Sequence, residues 1–202
     1  GTVTLIQPKA QPGDIRYKDL NNDGIINESD KRFYGSPLPK ATVGLNFSAE
    51  YKGFDFSLFF YGVTGNMIYN NVKYYLERMN ETSNAPADLV PWTSANHSTT
   101  TPRAVIGQTD NTLAYSDRWI EKGDYLRLQN IQLGYTFPKK WLNTTKIINS
   151  SRIYIGAQNL FTLTGYSGYD PEISGGSVYS KGNDNGHYPP VRTVTFGLQA
   201  SF

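Results

Sequence analysis

Cysteine is absent from all 202 residues, which excludes a disulfide framework and thiol chemistry but leaves the compartment open. Charge is also sparse. Only 18% of residues are charged and the formal net charge is +2, with no basic run of the kind that neutralises several phosphates, so no nucleic-acid partner is expected. Long hydrophobic runs are missing as well: no stretch approaches the roughly eighteen apolar residues of a membrane helix, and Gly1-Thr2-Val3-Thr4 has neither a charged nor an apolar leader region. A helical membrane protein is thereby excluded. A transmembrane β-barrel is not, because its strands need only about ten alternating residues each.

The sequence is rich in aromatics and glycine: fifteen Tyr, ten Phe, three Trp and nineteen Gly, a β-type composition. Five segments alternate with period two. In 41–51, Val43, Leu45, Phe47, Ala49 and Tyr51 form one apolar face against Gly44, Asn46, Ser48 and Glu50. After Lys52-Gly53, that face continues through Phe54, Phe56, Leu58 and Phe60, which predicts a tight hairpin. The third strand, 125–137, alternates through Ile131, Leu133, Tyr135 and Phe137, but Leu126 and Leu128 fall in the opposite phase. A bulge or a covered upper end accounts for such a switch. The fourth strand, 152–160, sets Ile153, Ile155 and Ala157 against Tyr154, Gly156 and Gln158, and the fifth, 194–202, sets Val194, Phe196, Leu198, Ala200 and Phe202 against Thr195, Gly197, Gln199 and Ser201.

Alternation alone fits a soluble β-sandwich as well as a barrel. Two further patterns favour the barrel. The polar face consists of Gly, Ser, Asn, Gln and Thr, which suits a wet lumen. The connections alternate between long (70–118 and 162–190) and shorter (52–53 and 138–151), as in outer-membrane barrels with short periplasmic turns and long extracellular loops. With Phe202 at the periplasmic rim, the long connections and residues 1–40 fall outside, and Tyr51, Phe54, Phe137, Trp141 and Phe202 gather as an aromatic girdle. Five strands cannot close a barrel, so the remaining strands are expected before Gly1 or from another chain.

The run SDRWIEKGDYLRLQNIQLGYTFP, 116–138, resembles a strand signature of the SusC/RagA family of TonB-linked outer-membrane transporters. QNLFTLTGYSGYDPE, 158–172, resembles the next one, and PGDIRYKDLNNDGIINESDKRFYGSPLPK, 12–40, resembles the family's acidic loop before a descending strand. The resemblance implies an all-β fold, a fragment of a barrel of about 22 strands with long extracellular loops and a plug. It divides the chain into an extracellular loop region, 1–40, and five or so barrel strands with their loops, 41–202. It further implies the outer membrane of a Gram-negative bacterium, of the Bacteroidetes kind, and nutrient uptake of oligosaccharides or peptides. The implied partners are the rest of the barrel and plug, a SusD-like surface lipoprotein, the TonB–ExbB–ExbD complex acting through parts outside this segment, and outer-membrane lipid. The rival reading is a secreted calcium-dependent β-sandwich that binds carbohydrate or mediates adhesion.

One segment carries legible chemistry. Asp19, Asn21, Asp23, Gly24, Ile25, Asn27 and Asp30 match the calcium-loop spacing D-x-[DN]-x-[DN]-G-x5-E in every place but the last, where Asp replaces Glu. Alternate oxygens wrap a hard cation, Gly24 permits the sharp turn, the Ile25 carbonyl joins the shell and Asp30 closes it. The expected cofactor is a structural Ca2+, and the competing reading is an Asn/Asp/Gly-rich turn without metal. The two histidines, His97 and His187, have no metal-ligand partner at useful spacing. Asp170 and Glu172 are expected to organise their loop, and no catalytic constellation points to an enzyme. Tyr74, Tyr75, Trp92, Tyr166, Tyr169 and Tyr179 are expected mostly to pack the loops, so no substrate-binding residue is assigned.

Overall fold

The computed structural model describes residues 5–80, 84–107, 112–142, 147–173 and 180–202. Its elements are β1 (Ala41–Tyr51), β2 (Phe54–Thr64), β3 (Met67–Asn70), α1 (Asn71–Glu77), β4 (Ile120–Lys122), β5 (Tyr125–Thr136), α2 (Lys139–Leu142), β6 (Ser150–Thr164), β7 (Asn183–Asp184) and β8 (Thr193–Ser201). Among the described residues no helix is long and apolar enough to cross a membrane. The chain divides into two compact units, one of Ser36–Ile68, Lys122–Gly182 and His187–Phe202, the other of Gly1–Gly35, Tyr69–Glu121 and Asn183–Gly186.

The first unit is built on a five-stranded antiparallel sheet of order β1-β2-β5-β6-β8. Its strands have 11, 11, 12, 15 and 9 residues, and about nine to eleven tilted residues cross a bilayer's hydrocarbon. The β1–β2 hairpin turns at Lys52 and Gly53, with φ of 49° and 89°. Positive φ at both central residues is the primed turn whose twist matches the strands. A Cβ at Gly53 would also run into the Thr136 carbonyl, and the Gly53 carbonyl accepts from Thr136 N at 2.7 Å.

Register carries the apolar face across all five strands. Ala49 pairs with Phe56, Phe56 with Leu133, Leu133 with Ile155 and Ile155 with Phe196. Directly opposed residues point to the same side, so one apolar row crosses the whole sheet. That face is open: Phe196 is 77% exposed and Leu45 59%. A β-sandwich would bury this face against a second sheet; among the described residues it is left open.

The phase switch in the third strand is a bulge. Phe59 pairs with Asn130 but Phe60 with Leu128, so Gln129 is an extra residue against β2. Against β6, the register jumps from Leu128↔Phe161 to Asn130↔Gln158, and Asn159 there has a φ of 52°. The bulge returns Leu126 and Leu128 to the apolar face. Leu128, paired with Phe60 on one side and Phe161 on the other, is buried, and those two rings meet edge-on with centroids 6.2 Å apart. Past it β6 keeps pairing with β5 as far as Thr164, so this strand runs from Ser150 to Thr164 rather than over 152–160, and the following connection begins at Gly165. At the turn end Tyr51, Phe54, Tyr135, Phe137 and Trp141 collect through cross-strand pairing and ring contacts.

The other unit has little regular structure and a buried centre. The connection expected as a plain loop contains α1, capped by the side chain of Asn70 accepting from Lys73 N at 2.9 Å. Trp119 is fully buried, its indole N–H donating to the Leu113 carbonyl at 3.0 Å and its ring meeting Tyr74 edge-on at 5.4 Å. Ion pairs complete the packing: Lys73–Glu121 at 3.0 Å, Arg118–Glu77 at 3.3 Å and a two-pronged Arg103–Asp14 pair. Residues 5–35 belong to this unit. Tyr17 is tied in by its hydroxyl, which accepts from Leu113 N at 2.8 Å.

Candidate functional site

The acidic segment folds as a braced loop. Asp19 accepts from Asn22 N at 2.6 Å and from Gly24 N at 2.8 Å; Asp23 accepts from Ile25 N at 2.9 Å and from the Asn21 amide at 2.8 Å. Asn27 accepts from Ser29 N at 2.7 Å, starting a short 3-10 turn, Glu28–Asp30. Asp30 accepts from Leu20 N and Asn27 N, both at 2.8 Å, which ties the two ends of the loop together. Those donors, Asn27 first and Leu20 next, hold the Asp30 carboxyl below the usual carboxylate range. Gly24 sits at φ 84° with open space where a Cβ would go, so its backbone conformation and not crowding requires glycine.

The loop thus orients five of the expected oxygen-bearing side chains, Asp19, Asn21, Asp23, Asn27 and Asp30, and places Ile25 with them. Each carboxylate oxygen that accepts one N–H keeps a second lone pair. Among the described residues no three His, Cys, Asp or Glu side chains come together as a metal cluster. A cation here would therefore draw on the Asn amides and the Ile25 carbonyl besides the carboxylates, the oxygen-rich mixture that calcium accepts.

The polar face of the sheet is the second functional surface. Near the turn end, Arg152 reaches across β5 to Asp55, with N–O distances of 2.8 and 2.5 Å, and also donates to Gln199 at 3.3 Å. Gly134 lies beneath this bridge, and a Cβ there would collide with both the guanidinium and the carboxylate. With Glu50 and Thr136 the pair lines a cavity of about 700 Å³. At the other end Arg127 is ion-paired to Asp170 and Glu172, so these carboxylates organise their loop as expected. The sequence reading missed Arg127 and Arg152, although both occupy the polar phase of their strands.

The loop aromatics divide. Tyr74 packs on Trp119; Trp92 lies between Gly13 and a stacked His97; and Tyr166 is buried. Tyr75 and Tyr169 are exposed, and Tyr179 lies outside the described residues. His97 thus has an aromatic partner, and neither histidine joins a metal set among the described residues.

No protein-family model matches the chain. Curated relatives do. TonB-dependent receptor P3 of Formosa agariphila is 35% identical over 209 aligned residues, covering 100% of this chain and 20% of the relative. TonB-dependent receptor SusC of Bacteroides thetaiotaomicron is 31% identical over 193 residues, covering 95% and 18%. Among solved structures, that of the RagAB peptide importer in its closed-closed state matches with a TM-score of 0.75 at 27% identity, over 91% of this chain and 20% of that one. The chain spans about a fifth of the length of the curated relatives it matches. The five-stranded sheet is accordingly part of a TonB-dependent transporter barrel, and the chain belongs to the SusC/RagA family of TonB-dependent receptors, of which it is a segment.

Proposed function

We propose that this segment forms part of the wall and extracellular loops of an outer-membrane importer that takes up oligosaccharides or peptides under a SusD-like lipoprotein. One observation carries the reading: five strands of membrane-crossing length share a continuous, exposed apolar face, while the opposite face is polar. Such a face is stable only against lipid or protein, and the relatives are receptors of the TonB-dependent class. The related RagAB is a peptide importer, which keeps peptides beside glycans as cargo. Energy would come from the TonB–ExbB–ExbD complex through parts of the protein outside this segment. The reading assigns no catalysis to these residues.

In the parent transporter on intact cells, a single cysteine at Ser94 reacts with a membrane-impermeant thiol reagent, whereas one at Lys140, in the connection between β5 and β6, does not. Labelling at Lys140 alone inverts the orientation. Extraction of the parent protein into buffer without detergent supports the secreted-sandwich rival instead.

We further propose that the loop holding Asp19, Asn21, Asp23, Ile25, Asn27 and Asp30 binds one structural Ca2+ on the extracellular side. The braced oxygens and the left-handed Gly24 support this. So does the charge, since the carboxylates of Asp19, Asp23 and Asp30, drawn into one loop, repel one another unless a cation offsets them. Anomalous scattering at millimolar calcium tests it; a loop free of metal under those conditions is an ordinary acidic turn.

A further inference from the structure

We propose that residues 165–173 form a strap folded onto the polar face of the sheet, positioned there by Arg127, so that the strap is a fixed part of the lining of the passage. That it lines a passage rests on the polar face being the lumen wall; that Arg127 holds it does not.

Arg127 lies in β5 opposite Tyr61 of β2 and Thr162 of β6. Its neighbour Leu128 points to the apolar face with Phe60 and Phe161, so Arg127 points to the polar one. A guanidinium on an open polar wall would be hydrated, yet this side chain is only 3% exposed. The strap supplies what covers it. Asp170, 43 residues along the chain, accepts from one terminal nitrogen at 2.8 and 2.5 Å. Glu172 accepts from the other at 2.6 Å, while Nε donates to Thr162 Oγ1 at 2.9 Å and the guanidinium rests over the Tyr125 ring.

The strap is shaped to deliver those carboxylates. Glu172 N donates to Asp170 Oδ1 at 2.8 Å, which fixes the Asp170 rotamer. At the near end Tyr166 N donates to Thr164 Oγ1, whose own hydroxyl donates to the Asp124 carbonyl at 2.8 Å. Tyr166 is buried with Gly168 folded against its ring. The two carboxylates contribute unequally. Asp170 is 13% exposed and Glu172 48%, so solvent weakens the second pair and Asp170 is the main anchor. Bracing of β5 against β6 is a lesser role for Arg127, because the backbone ladder already joins these strands from Tyr125↔Thr164 to Leu128↔Phe161.

The test uses the full-length transporter in detergent. Arg127→Met should raise hydrogen exchange across 165–173 by about tenfold or more, the equilibrium effect of losing one charge-assisted hydrogen bond, while the β5 and β6 amides keep their protection. Arg127→Lys, a point charge that cannot bridge two carboxylates in the same fork, should give an intermediate effect. If Arg127→Met does not fold because it orphans two acids, the triple variant Arg127→Met, Asp170→Ala, Glu172→Ala leaves no unpaired charge and should still free the strap. Unchanged exchange over 165–173, or loss of protection along β5 and β6 instead, overturns the role of Arg127. For the lining, a cysteine at Tyr169 should react with a small methanethiosulfonate ammonium reagent but resist a polyethylene-glycol maleimide that modifies one at Ser94. Equal reaction of both sites with the bulky reagent removes the strap from the passage and leaves the exchange result standing.

Discussion

The two units of this chain solve the same problem by opposite means. In the sheet unit most large apolar side chains are exposed, and order comes from a backbone ladder that only a bulge interrupts and from ion pairs on the polar side. In the other unit backbone ladders are few, and a buried tryptophan with ion pairs around it organises long connections. On the barrel reading proposed above, the difference reflects solvent. A sheet with lipid on one side gains nothing from hiding Phe196 or Leu198, whereas segments in water must bury apolar area to offset the entropy of ordering them.

Substitutions can break that contrast, and the largest effect belongs at its clearest point. Trp119→Ala should cost the loop unit about 3–5 kcal/mol, read as loss of exchange protection over 112–121 while the sheet stays folded. A simultaneous loss in the sheet would make the two units one cooperative body. On the sheet, Phe196→Arg or Leu133→Arg should cost about 2–4 kcal/mol in a bilayer, and Gln199→Arg much less; equal costs in urea titrations of the reconstituted barrel would refute the assignment of faces. Gly134→Ala should displace the Asp55–Arg152 bridge above it, with a loss of about 1–3 kcal/mol, and a variant as stable as the parent would show that the bridge moves aside freely.

Two smaller effects concern the acidic loop. Asp23→Ala should abolish calcium binding measured by calorimetry and increase proteolysis within 17–36 without unfolding the sheet. The pH dependence follows from Asp30, whose pKa is lowered in the folded loop. Its contribution is present above the unfolded value of about 3.9 and is lost as pH falls through the lower folded one. The Leu20 and Asn27 amide resonances should therefore hold steady through mild acid and shift only at strongly acidic pH; a transition near neutrality would contradict the bracing by Asp30.

Alternation was enough to place all five strands of the sheet and both of its faces, because period two survives wherever one side meets a different solvent. It was not enough to locate the end of β6. Phe161 and Leu163 lie in phase with Ile153, yet the segment read as strand stopped at Leu160. The acidic loop was legible from spacing alone, since its bonds join residues no more than ten apart. Arg127 and Arg152 were not, because their partners lie 43 to 45 and 97 residues away. Local pattern shows a charge on the polar phase but not the carboxylate that meets it. α1 escaped for a similar reason, as only seven residues form it and Asn70 caps it from a strand end.

The extra residue at Gln129 acts as a frame corrector. Upstream of it, Tyr125 to Leu128 would sit one step out of phase with the rest of β5 if the strand ran straight. A straight strand that kept Gln129 in register would turn Leu126 and Leu128 towards water and carry Arg127 onto the hydrocarbon side, stranding a permanent cation in lipid and two acids without a mate. One unpaired residue thus decides which solvent receives the charge, and a chain lacking Gln129 should keep both halves of β5 in phase with no bulge against β2.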